Sequence, residues 1–219
     1  MQIFTKFIKL FIPPSRYFTQ DLWHNFVNRN MLEQEYDIPE LGIKGNFLHA
    51  CIRLVELTWR YNASTKAEIE KIMKRCPLPD KYVSCHIRRG DKITEWDYIP
   101  LEKYIAYIEQ YKISDIYILT DDYTVYETLQ EEKPEWNIYT LCNKSDRGYE
   151  HSNFGRNNAE EKRKRILALF ASIEIMNKSA LFVGTKTANP SVFMSIYNPK
   201  ISKGIDCDGN LFVEAIKSL

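Results

Sequence analysis

Residues 82–122 read YVSCHIRRGDKITEWDYIPLEKYIAYIEQYKISDIYILTDD. The first six, Tyr82–Ile87, form a bulky, β-rich run, and DIYILT at Asp115–Thr120 is a second one, stopped by Asp121-Asp122. Between them Pro100 to Tyr111 has helical spacing, with Pro100 suited to the first helical position, where a missing N–H leaves no bond unmade. Strand, helix, strand in this order is one βαβ unit. Working outward, the alternation continues. Tyr123–Glu132 reads as a helix, Trp136–Leu141 (WNIYTL) as a strand and Ala159–Lys178 as a long helix after the polar loop Asn143–Asn158. Ala180–Gly184 (ALFVG) is a further strand, Ser191–Ile196 begins a helix that Pro199 closes, and residues 200–205 hold a weak strand. Short strands alternating with helices build a parallel sheet. Residues 80–219 are therefore expected to be a doubly wound, Rossmann-like α/β domain.

The first 79 residues have a different character. Phe47, Cys51, Leu54, Val55 and Trp59 recur at helical spacing, and a second helix is expected over Thr65–Arg75, with Ser64 or Thr65 as its cap and Glu68 completing a capping box. Residues 37–45, with Pro39, Gly42 and Gly45, read as a loop, and a helix fits Asp21–Asn28. In residues 1–12 (MQIFTKFIKLFI), Phe4, Phe7, Ile8 and Phe11 share one helical face flanked by Lys6 and Lys9. That face either packs on the body or makes a weak membrane-surface contact. The run is too short and too charged to span a bilayer, and it lacks the layout of a signal peptide.

Composition narrows the function class. Of 219 residues, 44% are hydrophobic and 27% charged, as in an ordinary globular chain. Lys plus Arg number 30 against 29 Asp plus Glu, so the net charge is +1, and the broad basic excess of a duplex nucleic-acid binder is missing. The five cysteines are odd in number and form no CxxC pair. They read as free thiols in a reducing, cytoplasmic setting. No His/Cys cluster has zinc-ligand spacing.

In a doubly wound sheet, ligands bind beyond the carboxyl ends of the strands. At those ends the sequence gathers polar groups. His86-Ile87-Arg88-Arg89-Gly90-Asp91-Lys92 follows the first strand and Thr120-Asp121-Asp122 the second. Arg147, His151 and Arg156 follow the third, and Gly184-Thr185-Lys186-Thr187 the fourth. Two arginines and a lysine within five residues suit a diphosphate, because the guanidinium fork matches phosphate oxygens. An isolated Arg-Arg pair is more often a solvated turn, so the surrounding pattern has to decide.

The string His86-Ile-Arg-Arg-Gly-Asp-Lys92 resembles the HxRRxDK motif of the GDP-fucose-dependent fucosyltransferases of the α1,6 type and their relatives. The resemblance continues in Thr94-Glu95 with Pro100-Leu-Glu-Lys-Tyr104, in Ile118-Leu-Thr-Asp-Asp122, and in Ser179-Ala-Leu-Phe-Val-Gly-Thr-Lys-Thr187. Order and approximate spacing agree over residues 47–197. The resemblance implies a GT-B-like architecture with the donor held mainly by the second domain. Residues 1–79 would then be a reduced, mainly helical acceptor-side region, or the acceptor side would be supplied by a partner domain or a second subunit. It implies an inverting transfer of fucose from GDP-fucose to a glycan hydroxyl, without a metal or other cofactor.

Residue roles follow from the same resemblance. Arg88 would pair with the β-phosphate, and Arg89 would support the motif or the donor site. Asp91 and Lys92 would order the loop or touch donor and acceptor. Glu95 would be the general base, Tyr104 would line the donor pocket, and Asp121 and Asp122 would contact nucleotide or hold the arginines. Thr185 and Thr187 would donate to phosphate, and His86 would shape the turn. Two departures stand out. Gly90 occupies a position where longer members carry Thr, and the place of the acidic residue usual on the long helix falls to Ser172 or Glu174.

Rival readings remain open at this level. Asp206-Cys207-Asp208 spells the DxD of a metal-dependent transferase, but lies in the tail. A non-catalytic GDP-sugar-binding or partner module, and a transferase of the same fold using another nucleotide sugar, fit the phosphate cluster equally well. The run Lys162-Arg-Lys-Arg165 is read as a solvated helix face. Trp23, Trp59 and Trp136 are read as core residues, and Trp96, beside Glu95, as the one to watch at the site.

Overall fold

The computed structural model describes residues 31–90, 97–149 and 155–218. The segments 1–12 and Asp21–Asn28, together with Trp23, Asp91, Lys92, Glu95, Trp96 and His151, lie outside them.

Five strands form one parallel sheet. They are β3 (Val83–Ile87), β4 (Asp115–Thr120), β5 (Asn137–Thr140), β6 (Leu181–Gly184) and β7 (Ser202–Gly204), in the spatial order β5-β4-β3-β6-β7. Pairing runs in register from Val83↔Ile116 to Ile87↔Thr120 on one side of β3, and from Val83↔Leu181 to Cys85↔Val183 on the other. Every residue of β3 and β6 is buried, as parallel strands covered on both faces require.

The period of two sorts the side chains into two cores. Val83, Cys85, Ile87, Ile116, Ile118 and Val183 pack with Tyr104 and Ile108 of α3 (Leu101–Glu109) and with Val125 and Leu129 of α4 (Tyr123–Glu132). Tyr117 and Phe182 point the other way. They pack with Leu167, Ala171 and Met176 of α5 (Ala159–Asn177), Met194 of α6 (Asn189–Tyr197) and Leu211 of α7 (Leu211–Lys217). The doubly wound α/β expectation is met.

The N-terminal helices α1 (Phe47–Thr58) and α2 (Ala63–Met73) add an outer layer on this second face. Helix α1 lies against α6, α2 lies against α5, and Ile69 and Cys76 enter the second core. Trp59, at the end of α1, packs on Phe193 with ring centroids 4.5 Å apart. Its Nε1 donates to Glu174, which also accepts from the hydroxyls of Tyr61 and Tyr197. Ser172 accepts from buried Tyr117. Both positions on α5 are thus occupied in packing that helix.

Three local expectations are corrected. Residues 37–45 are not simply a loop, because they carry most of a β-hairpin, β1 (Glu35–Ile38) and β2 (Ile43–Asn46), paired from Glu35↔Asn46 to Ile38↔Ile43. Pro39 and Gly42, read as breakers, make its turn, with Gly42 at φ 64° donating its N–H to the Pro39 carbonyl. Helix α2 starts two residues early, because Asn62 caps it by accepting from the Thr65 N–H at 2.8 Å, and Thr65 is therefore inside the helix. The tail folds further into α7, capped by Asn210.

Candidate functional site

The strand order sets the place. The chain leaves β3 toward β4 and leaves β6 toward β7, while β3 and β6 are neighbours in the sheet. Connections diverging from adjacent parallel strands open a crevice beyond their carboxyl ends. Residues 88–90 enter it from one side and residues 185–188 from the other. A depression of about 350 Å³, its open mouth included, lies there. Arg88, Arg89 and Tyr104 line it with Thr185, Thr187 and Ala188, and the segment Asp97–Ile99 completes the wall.

The arginine loop is held by Asp121, at the end of β4. Asp121 Oδ1 accepts from the Arg89 N–H at 2.7 Å, and Oδ2 accepts from the Tyr149 N–H at 2.9 Å. Arg88 Nε lies 4.0 Å from the same Oδ2, and its guanidinium sits over the Tyr149 ring at 5.2 Å. One carboxylate therefore ties the loop after β3 to the loop after β5.

The two loops meet with no room between them. A Cβ on Gly90 would fall 2.3 Å from the Tyr149 carbonyl oxygen and 2.4 Å from its nitrogen. A Cβ on Gly148, at φ 90°, would in turn fall 2.8 Å from Gly90 Cα. Glycine at position 90 is thus a packing requirement of this chain. Asp122 has a different task. Its Oδ1 caps α4, accepting from the N–H and the hydroxyl of Thr124 at 2.9 and 2.8 Å.

On the opposite side, Gly184 lets α6 approach β6 closely. Beyond it the hydroxyls of Thr185 and Thr187 lie 3.2 Å apart. Ala188 is the N-cap of α6 and offers its first-turn amides no side-chain acceptor. Such an end, with its partial positive charge, favours an anion. The Lys186 N–H bonds to both oxygens of Asp206, at 3.1 and 3.2 Å. The DxD string therefore fixes this turn through its first aspartate. Among the described residues, no group of three or more His, Cys, Asp or Glu side chains could hold a metal ion.

His86 joins the two sides. It is 5% exposed, and its Nδ1 shares a 2.8 Å hydrogen bond with Ser191 Oγ, in the first turn of α6. Burial, aided by the Arg88 charge, pushes its pKa down to about 3. His86 is therefore held in its neutral form, with its ring tied to the first turn of α6. Tyr104 donates to the His86 carbonyl at 3.2 Å, and burial holds its phenol well above the ordinary value.

No protein-family model matches the chain, and no curated protein matches it. Among solved structures, an α1,6-fucosyltransferase, NodZ, soaked with GDP-fucose is similar at 13% identity and a TM-score of 0.44. The match covers 64% of this chain and 44% of that one. POFUT1 in complex with GDP is similar at 12% identity and a TM-score of 0.42, over 66% of this chain and 47% of that one. NodZ from Bradyrhizobium gives 12% identity and a TM-score of 0.40, over 62% and 41%. The chain spans less than half the length of these proteins. These likenesses are weak, and the α/β assignment stands on the sheet itself.

Sequence reasoning missed Asp97, Tyr98 and Tyr149. Tyr98 and Tyr149 act through contacts between loops, Asp97 lines the depression, and only Tyr98 has a local signal, an aromatic shortly after a basic cluster. The run Lys162–Arg165 is the largely solvated helix face expected from its sequence, and its charges pair at the surface. Arg163 forms a two-bonded pair with Glu68 on α2, Lys164 pairs with Glu160, Arg165 reaches Asp146 at 3.6 Å, and Lys162 donates to the Gly155 carbonyl. No described helix is long and apolar enough to cross a membrane.

Proposed function

We propose that this chain is the donor-binding part of a glycosyltransferase that moves fucose from GDP-fucose to a glycan hydroxyl with inversion. The observation that carries the reading is the convergence of Arg88 and Arg89 from one side, and of Thr185, Thr187 and the uncapped N-terminus of α6 from the other, on the switch-point crevice. That set of donors fits a diphosphate. The identity of the nucleotide and sugar rests on the resemblance of residues 86–92 and the segments that follow them.

In this reading the acceptor oxygen attacks the anomeric carbon as the bond to the diphosphate breaks. The carbon passes through an oxocarbenium-like state, and negative charge gathers on the leaving phosphate. Arg88 meets that charge where it grows, an interaction that raises kcat more than it lowers KM. Glu95 takes the acceptor proton, the task of a carboxylate facing the hydroxyl. Asp91 and Lys92 order the loop between them. Residues 1–79, with a partner domain or a second subunit, serve the acceptor side.

The test is calorimetric titration of the full chain, in EDTA, with GDP, GDP-fucose and other nucleotide diphosphosugars, followed by an acceptor screen. Micromolar GDP binding with a preference for GDP-fucose is the expected result. Preference for another sugar would reassign the donor, binding without turnover on any acceptor would make the chain a binding module, and no binding at all would sink the reading.

Asp97 adds a second measurable consequence. It is an exposed carboxylate in the wall of a depression lined by two arginines. Asp97→Asn removes a charge that repels the diphosphate, and GDP affinity should rise about two- to threefold at low salt, the scale of a solvent-screened charge. Unchanged affinity over a salt series would place the bound anion away from this wall.

A further inference from the structure

Among the described residues, Tyr98 engages the arginine loop in three ways. Its ring lies under the Arg89 guanidinium at 5.0 Å. Its hydroxyl shares its one proton between the carbonyls of Arg89 and Gly90. The next residue, Ile99, takes one guanidinium N–H on its carbonyl, from Arg89 Nη2 at 3.1 Å. Tyr98 also lines the depression itself.

We propose that Tyr98 is the positioning residue that aims Arg89 at the terminal phosphate of a nucleoside diphosphate, an inference that rests on the donor-site reading above. A guanidinium is a flat fork of five N–H donors. Ring contact fixes its plane, and the Ile99 carbonyl uses one donor and fixes its rotation. The remaining donors are held in one orientation before any ligand arrives. Such preorganisation raises affinity by removing the ordering cost from the binding step.

The hydroxyl acts to the same end. It engages the Arg89 and Gly90 carbonyls while Asp121 holds the Arg89 N–H, so the backbone that carries this arginine is fixed on both sides. Burial and the nearby Asp121 charge raise the Tyr98 phenol above its ordinary value, so it remains a donor through neutral and mildly alkaline pH.

The readout is the ratio of GDP to GMP affinity, which isolates the terminal phosphate. It is measured by calorimetry on the full chain for wild type, Tyr98→Phe, Arg89→Ala and the double variant, with thermal melts alongside. Tyr98→Phe should lower GDP affinity about tenfold, the scale of one charge-assisted hydrogen bond, and leave GMP affinity unchanged. The double variant should match Arg89→Ala, because the tyrosine acts through that arginine. If Tyr98→Phe does not fold, Tyr98→His, which keeps a flat ring and an N–H donor, is expected to retain part of the ratio.

A Tyr98→Phe or Tyr98→His ratio equal to wild type overturns the inference. So does an equal loss of GDP and GMP affinity, or a double variant whose losses add. Wild-type protein that binds GDP no better than GMP overturns the diphosphate reading itself, and the inference with it.

Discussion

Arg88→Ala should lose GDP affinity by about 100-fold, roughly 3 kcal/mol, while the protein stays folded. Two effects add in the same direction. The variant removes a guanidinium seated at the floor of the crevice, on the Tyr149 ring and 4.0 Å from Asp121. It also leaves the Asp121 carboxylate without that neighbouring positive charge, so an incoming diphosphate meets net repulsion. The fold should tolerate the change, since the Arg88 side chain is 22% exposed and belongs to neither core. Calorimetric titration with GDP, beside a circular-dichroism melt, checks both halves of the expectation. Arg163→Ala is the matched control. It removes an arginine from the Glu68 pair on the outside of α5 and should leave GDP affinity unchanged. Equal GDP affinity in Arg88→Ala and wild type would move the phosphate site away from the end of β3.

The comparison of sequence with structure separates what is local from what is not. Strand β4 and helix α4 have the boundaries their sequence announces, because DIYILT is a buried run and Asp122 is both its stop and the next cap. Helix α5 starts where expected, with a capping box between Asn158 and Glu161. The hairpin β1–β2 left no such trace. Its strands are four residues each, and Ile43 is its one buried strand residue, so there is no alternation to read.

The site divides in the same way. Arg88, Arg89 and the threonines were legible because they stand next to strand ends, where topology gathers them. The clamp on them was not. Tyr149 reaches Arg88 only because Gly148 and Gly90 allow two loops to touch, and nothing in a linear string pairs position 90 with position 149. Gly90 is the instructive case. As a letter it is a departure from the fucosyltransferase pattern; in the fold it is the position over which the second loop crosses.

Gly184→Val should be strongly destabilising. Gly184 is buried at the end of β6, and a Cβ there would fall 2.5 Å from Ser191 Oγ, 2.6 Å from Ser191 Cβ and 2.9 Å from the Phe182 ring. None of these is the free end of a flexible chain. Helix α6 would have to move away from the sheet, and the first bond to break would be that between Ser191 and His86. His86 cannot regain the loss by ionising, since its buried site holds the pKa at about 3. Overpacking and a buried polar group left without its partner together cost about 3 kcal/mol or more. In a chain of this length that corresponds to a fall in Tm of roughly 10 °C. GDP affinity should fall too, because Thr185 and Thr187 lie on the turn between the displaced elements. Thermal melts of Gly184→Ala and Gly184→Val give the direct check, and a Tm within about 2 °C of wild type in both would show that α6 yields freely. Ser191→Ala should not rescue either variant: it removes the hydroxyl but leaves the Ser191 Cβ position, 2.6 Å from the new side chain, filled.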